Sequence, residues 1–126
     1  MKQAISTTKA PAAIGPYSQG IRNGNLIFLS GQLGIDPSSG EFATDSVPGQ
    51  TEQAFKNIKA LLAEANLTLD NVIKTTVFLY DMADFTAMNE VYAKQFNEPY
   101  PARSAVAVKT LPKNALVEIE VIAAID

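Results

Sequence analysis

The 126-residue chain has no histidine, no cysteine and no tryptophan. Without cysteine there is no disulfide and no thiolate nucleophile. Without histidine there is no Ser-His-Asp triad, and lacking both there is no Cys/His zinc site. Long hydrophobic runs are also missing. Leu26–Leu29 is of strand length and no run exceeds the five residues of Val121–Ile125, far below the ~20 apolar residues of a membrane span. Met1–Ala10 carries Lys2 and Lys9 but no apolar stretch of the signal-peptide kind. An excess of positive charge is missing too: 10 Lys and Arg stand against 13 Asp and Glu, a net −3. Phosphate neutralisation needs clustered cations, and only Lys56 and Lys59 are neighbours on one helix. These absences argue against a membrane or nucleic-acid partner, and a cytoplasmic location is the default expectation. Any chemistry falls to carboxylates, Arg, Lys, Tyr, hydroxyls or backbone amides.

What is present is an ordinary globular composition, 47% apolar and 18% charged. The length suits one domain over residues 1–126, able to bury about two-thirds of its unfolded surface. The loops Asp36–Gly40, Val47-Pro48-Gly49, Asn97–Pro101 and Leu111-Pro112-Lys113-Asn114 are short enough to lie inside one domain. Asn23-Gly24 between Tyr17–Arg22 and Leu26–Ser30 reads as a type I′ hairpin. That turn would set Arg22 opposite Asn25 and Tyr17 opposite Ser30.

Gln50–Asn66 has helical periodicity through Ala54, Phe55, Ile58, Leu61, Leu62 and Ala65. Val72–Tyr80 reads as a strand with Ile73, Thr75, Val77 and Leu79 on one face. Asp84–Phe96 reads as a second helix, with Asp84 as N-cap and a stripe of Phe85, Met88, Tyr92 and Phe96 into which Asn89 falls. Arg103–Thr110 and Leu116–Ile125 follow as strands, and Lys2–Ser6 is a candidate extra one. Arg103, Ala105 and Ala107 share one face of their strand; Glu118 and Glu120 share one face of theirs. The order predicts an α+β fold: a single sheet of about five to six strands with two helices packed on one face. The uncovered face needs another cover, for which oligomerisation is the natural candidate.

Several residues have both a structural and a chemical reading. Arg22, beside a turn, reads as a solvated surface group. Arg103 precedes small residues on its own face, which leaves room for a carboxylate; an ion pair with Glu118 or Glu120 is the structural alternative. Those glutamates are either a solvent-facing edge or carboxylates covered by a partner, where burial raises and an arginine lowers the pKa. Asn89 is a packing amide or a ligand contact. Tyr17 and Ser30 are a cross-strand pair or part of a pocket, and Gly31 would allow close approach to the backbone. Gly31-Gln32-Leu33-Gly34 is too short for a dinucleotide fingerprint. Asp81 and Asp84 lack the oxygen density of a calcium loop. No metal site is expected.

Taken together, Ala10-Pro11-Ala12-Ala13-Ile14-Gly15-Pro16-Tyr17-Ser18-Gln19-Gly20, Ser30-Gly31-Gln32, Lys74–Leu79, Asn89-Glu90-Val91-Tyr92, Pro101-Ala102-Arg103-Ser104 and Leu111-Pro112 through Val117–Glu120 resemble the RidA/YjgF/YER family of imine/enamine deaminases across essentially the whole chain. The resemblance implies a chorismate-mutase-like fold, a homotrimer with ligand clefts at its subunit interfaces, and no cofactor. It implies hydrolysis of 2-aminoacrylate, 2-aminocrotonate and their 2-imino tautomers, released by pyridoxal-phosphate-dependent serine and threonine dehydratases, to 2-keto acids and ammonia. By motif position Arg103 would grip the substrate carboxylate and Glu118 would orient or activate the attacking water. Tyr17, Ser30, Gly31 and Asn89 would shape the pocket, with the backbone at Ala105 contacting the ligand. Many members carry cysteine where Ala105 stands, so no thiol is available here. Same-fold relatives that only bind ligands or regulate, and relatives credited with RNA cleavage, define the alternatives.

Overall fold

A computed structural model describes all residues from Met1 to Asp126. The chain runs β1 (Gln3–Ile5), β2 (Gly20–Asn23), β3 (Leu26–Leu33), α1 (Val47–Glu64), β4 (Val72–Leu79), α2 (Phe85–Ala93), β5 (Ala102–Ala107) and β6 (Val117–Ala124). The six strands form one mixed sheet in the order β1-β2-β3-β6-β4-β5. Every pairing is antiparallel except β4 with β5, where α2 supplies the crossover that a parallel pair requires. The α+β architecture read from the sequence is the one present. No helix is long and apolar enough to cross a membrane.

The helices lie on one face. Val117, Ile119, Val121 and Ala123 of β6 and Thr75, Val77 and Leu79 of β4 are buried beneath Phe55, Ile58, Leu61 and Leu62 of α1 and Met88 and Tyr92 of α2. The alternate residues face the other way. Phe28, Phe78, Val106 and Ile122 are only partly covered there, and Glu118 and Glu120 lie among them.

Four local expectations are corrected. The hairpin turn is Gly24-Asn25, with Asn23 paired to Leu26. Of the two turn residues only Gly24 has positive φ (62°), the type II′ pattern, which needs glycine at the first central position. The register therefore shifts by two, Ser30 bonds the carbonyl of Gln19, and Tyr17 is not its cross-strand partner. Val47-Pro48-Gly49 is the first turn of α1, not a loop: Ser46 caps it by accepting from the amide of Gly49 (3.2 Å), and proline is tolerated there because that N–H has no helical partner. Asp84 makes no side-chain cap, whereas Asp81 caps the preceding 3-10 turn through the amide of Ala83 (2.9 Å). Ile73 is exposed because an irregularity between Val72 and Lys74 removes it from the face of Thr75, Val77 and Leu79.

Strand β3 is irregular at its centre. Leu29 pairs with Val121 but Gln32 with Ile119, so Ser30 and Gly31 together stand opposite Glu120 alone. Such a bulge bends a strand and re-aims its side chains.

Candidate functional site

The bulge opens onto a cavity of about 620 Å³ lined by Tyr17, Ser30, Gly31 and Glu118, with Ile14 and Pro112 among its apolar walls. Directional hydrogen bonds hold its rim. The Ser30 hydroxyl donates to the carbonyl of Ser18 (2.6 Å), so it fastens the loop to the strand. Gln19, buried, accepts from the amide of Thr7 (2.8 Å) and donates to the carbonyl oxygens of Pro11 (2.7 Å), Thr7 (3.1 Å) and Ala10 (3.3 Å). It thereby pins the segment that forms one wall. From the helix side Asn57 of α1 donates to the carbonyl oxygens of Leu33 (3.1 Å) and Ile35 (3.0 Å), two residues that line the cavity. Buried backbone acceptors must be satisfied, and these two amides satisfy the ones an irregular strand end leaves over.

Glu118 lies half-buried on the cavity floor, packed over Gly31. A Cβ built on Gly31 would stand 2.8 Å from both the carboxyl carbon and Oε2 of Glu118, so the carboxylate occupies space that only glycine leaves free. Burial pushes the Glu118 carboxyl above its ordinary value, and the charge of Glu120 two residues along adds to the rise. The group is thus better suited to exchanging a proton near neutrality than a solvated glutamate is.

A second group of residues gathers at the β5 edge. Arg103 pairs in register with Thr75 of β4, whose side chain is buried under the helices. Its guanidinium turns toward α2. Nη1 donates to Oδ1 of Asn89 (2.6 Å), and Cζ lies 4.6 Å from the ring centre of Tyr92 and 5.3 Å from that of Phe85. All three partners are neutral. Burial raises the Tyr92 phenol, with the hydrogen bond to Thr75 and the charge of Arg103 acting against the rise, so the ring beneath the cation carries a hydroxyl. Ala105 follows on the same face, partly buried. Arg22, in contrast, bonds only the turn carbonyl of Gly24 (3.2 Å).

The structure thus unites Tyr17, Ser30, Gly31 and Glu118 in one place and Arg103, Asn89 and Ala105 in another. The two sets lie on opposite faces of the sheet, because Glu118 points away from the helices and Arg103 toward α2. An ion pair between them within one chain, the structural alternative read from the sequence, does not form. Gln19 and Asn57 were missed; polar amides that interrupt an apolar pattern were the available signal. No three acidic side chains converge as a metal site would require.

Comparison with known proteins gives the same outline. Residues 7–125 match the Endoribonuclease L-PSP family. A RutC family protein of Pyrococcus horikoshii is 54% identical over 98% of each chain. The mouse 2-iminobutanoate/2-iminopropanoate deaminase is 49% identical over 98% of this chain and 91% of that protein. Among solved structures, Escherichia coli TdcF with bound serine superimposes with a TM-score of 0.93 at 43% identity, covering 98% of this chain and 99% of the other.

Proposed function

The chain belongs to the RidA/YjgF family, also described as Endoribonuclease L-PSP, and from that premise we propose that it is a deaminase hydrolysing 2-imino acids, in equilibrium with their enamines, to 2-keto acids and ammonia. One observation supports this above the rest. A guanidinium held rigid by neutral partners is available for a carboxylate, and a half-buried glutamate with an elevated pKa is available for proton transfer. In this reading Arg103 takes the substrate carboxylate in a bidentate contact. Tyr17, Ser30, Gly31 and the backbone near Ala105 enclose the small acid, and Asn89 steadies Arg103.

The chemistry asks little of the protein. An iminium carbon is already electrophilic. Glu118 takes a proton from a water whose oxygen bonds to that carbon, giving a carbinolamine. The proton then passes to nitrogen, the carbinolamine hydroxyl gives its own proton to the freed Glu118 carboxylate as its oxygen becomes the carbonyl, the carbon–nitrogen bond breaks, ammonia leaves and takes up that proton as ammonium, and the keto acid remains. No covalent nucleophile enters, so the absence of histidine and cysteine is no obstacle.

Because Arg103 and Glu118 occupy opposite faces, a complete site takes one from each of two copies. A homotrimer with clefts at its interfaces meets that need and covers the partly apolar open face of Phe28, Phe78, Val106 and Ile122. The bound serine in the TdcF neighbour fits a site for small amino-acid-like carboxylates. The supply of 2-aminoacrylate and 2-aminocrotonate by serine and threonine dehydratases, and a cytoplasmic location, complete the proposal.

Coexpression of R103A and E118Q chains tests it. Each variant alone is expected to be inactive in a coupled assay with threonine dehydratase. Mixed assemblies are expected to regain about one quarter of wild-type activity, the random share of interfaces that keep both groups. Two inactive variants that never complement would reject the shared site. Keto-acid binding without any turnover by the wild type would instead make the protein a ligand-binding module.

A further inference from the structure

We infer that Tyr92 and Thr75 are positioning residues for Arg103, a buried hydroxyl pair that fixes the ring on which the guanidinium rests. The inference rests on the reading of Arg103 as the carboxylate clamp. Phe85, Asn89 and Tyr92 are spaced at four and then three residues along α2, so they form one stripe facing β5. The guanidinium meets that stripe at three points: its Cζ lies over the rings of Tyr92 and Phe85, and its Nη1 donates to Asn89. Arg103 is solvent-exposed, yet its orientation is set.

Orientation is transmitted only if the ring itself cannot move. Tyr92 is buried, packed edge-on against Phe55 (5.8 Å between ring centres) and tilted against Phe96 (5.0 Å). Its hydroxyl bonds Oγ1 of Thr75 at 2.7 Å, and Thr75 is the register partner of Arg103 itself. The same β4 residue therefore locates the arginine backbone through the sheet and its ring support through the hydroxyl. A phenylalanine over a valine would fill this space without desolvating two hydroxyls, a replacement that is often nearly neutral for stability. The polar pair is thus explained by placement. Holding the long arginine side chain before the ligand arrives removes part of its ordering cost from binding.

The test measures pyruvate and 2-oxobutanoate dissociation constants by calorimetry, with KM and kcat, for R103A, Y92F, T75V and T75S. R103A is expected to lose binding. Y92F and T75V should each weaken it about three- to tenfold, act mainly on KM, and be no worse together than singly. In the R103A background they should change nothing. T75S decides between placement and mere packing: it keeps the hydroxyl but loses a buried methyl, so it should melt lower than the Y92F/T75V double variant, in which neither hydroxyl is left unpaired, and yet bind like wild type. If R103A loses binding while Y92F and T75V bind as wild type, or if affinity follows melting temperature rather than the hydroxyl, the positioning role is overturned. If R103A itself binds normally, the clamp reading fails and the positioning role with it.

Discussion

Around the cavity, Ser30 and Gln19 act on backbone carbonyls, with Asn57 of α1 bracing Leu33 and Ile35 from the helix side, and the cavity owes its shape to the course of the chain. At the β5 edge the arrangement is different: Arg103 is held by side chains of a single helix, and the backbone contributes only its register. The difference bears on what each half does. A wall of backbone gives a fixed volume in which a small molecule and a water can be placed. A cation on an aromatic support gives direction and charge but no enclosure. The proposed reaction needs both, and the sheet keeps them on opposite sides of one chain.

The sharpest break in that comparison comes from Glu118→Gln. It keeps size and burial and removes the proton acceptor, so kcat should fall about 10²–10⁴-fold while the dissociation constant for 2-oxobutanoate stays near wild type. A variant that turns over normally would remove the cavity half from the chemistry. Arg103→Ala should act the other way. Losing two charge-assisted hydrogen bonds of roughly 1.5–3 kcal/mol each should raise KM about 10²-fold or more. Unchanged KM would leave the edge half without a role.

Much of this division could be read from alternation alone. The parity that sets Arg103, Ala105 and Ala107 apart from Ser104 and Val106 is in the sequence, as is that of Glu118 and Glu120. Which face the helices cover is not, because that depends on how α1 and α2 cross the sheet. The Arg103–Asn89 contact spans 14 residues and depends on a parallel register that no local pattern encodes. The hairpin was legible and its register was not: Asn23-Gly24 and Gly24-Asn25 both suit a tight turn, and the choice between them falls to the pairing of β2 with β3. The start of α1 carried its own signal in Ser46 and Pro48, which the Pro-Gly loop signal masked. Tyr92 is legible as a ring in an apolar stripe and as the end of the Asn89–Tyr92 motif, but periodicity records the burial of a ring and not the partner of its hydroxyl.

A subtler probe acts where the two kinds of construction meet. Gly31→Ala places a methyl against the Glu118 carboxylate, which lies at the free end of a flexible side chain and is able to yield. Melting temperature should change little. Turnover should fall about 10- to 10²-fold, because small misplacements of a catalytic group are costly. Wild-type turnover in this variant would show that the position of the carboxylate over the bulge is immaterial.

The smallest expected effect concerns stability. The folded chain raises the Glu118 pKa through burial and the charge of Glu120, so it holds that proton more tightly than the unfolded chain does. The stability this contributes is fully present below the ordinary value of 4.5 and is lost as pH rises through the elevated folded value. Glutamine carries no charge at any of these pH values, so Glu118→Gln should melt higher than glutamate at pH 7, with the advantage shrinking toward zero as pH falls below 4.5. In an assembly, Arg103 of a neighbouring copy would pull the same pKa down, so the comparison is cleanest in the Arg103→Ala background, where burial and Glu120 act alone. A lower melting temperature for the glutamine variant at pH 7 in that background would mean that the cavity floor solvates the carboxylate well, and the case for Glu118 as a proton-transfer group near neutrality would lose its physical basis.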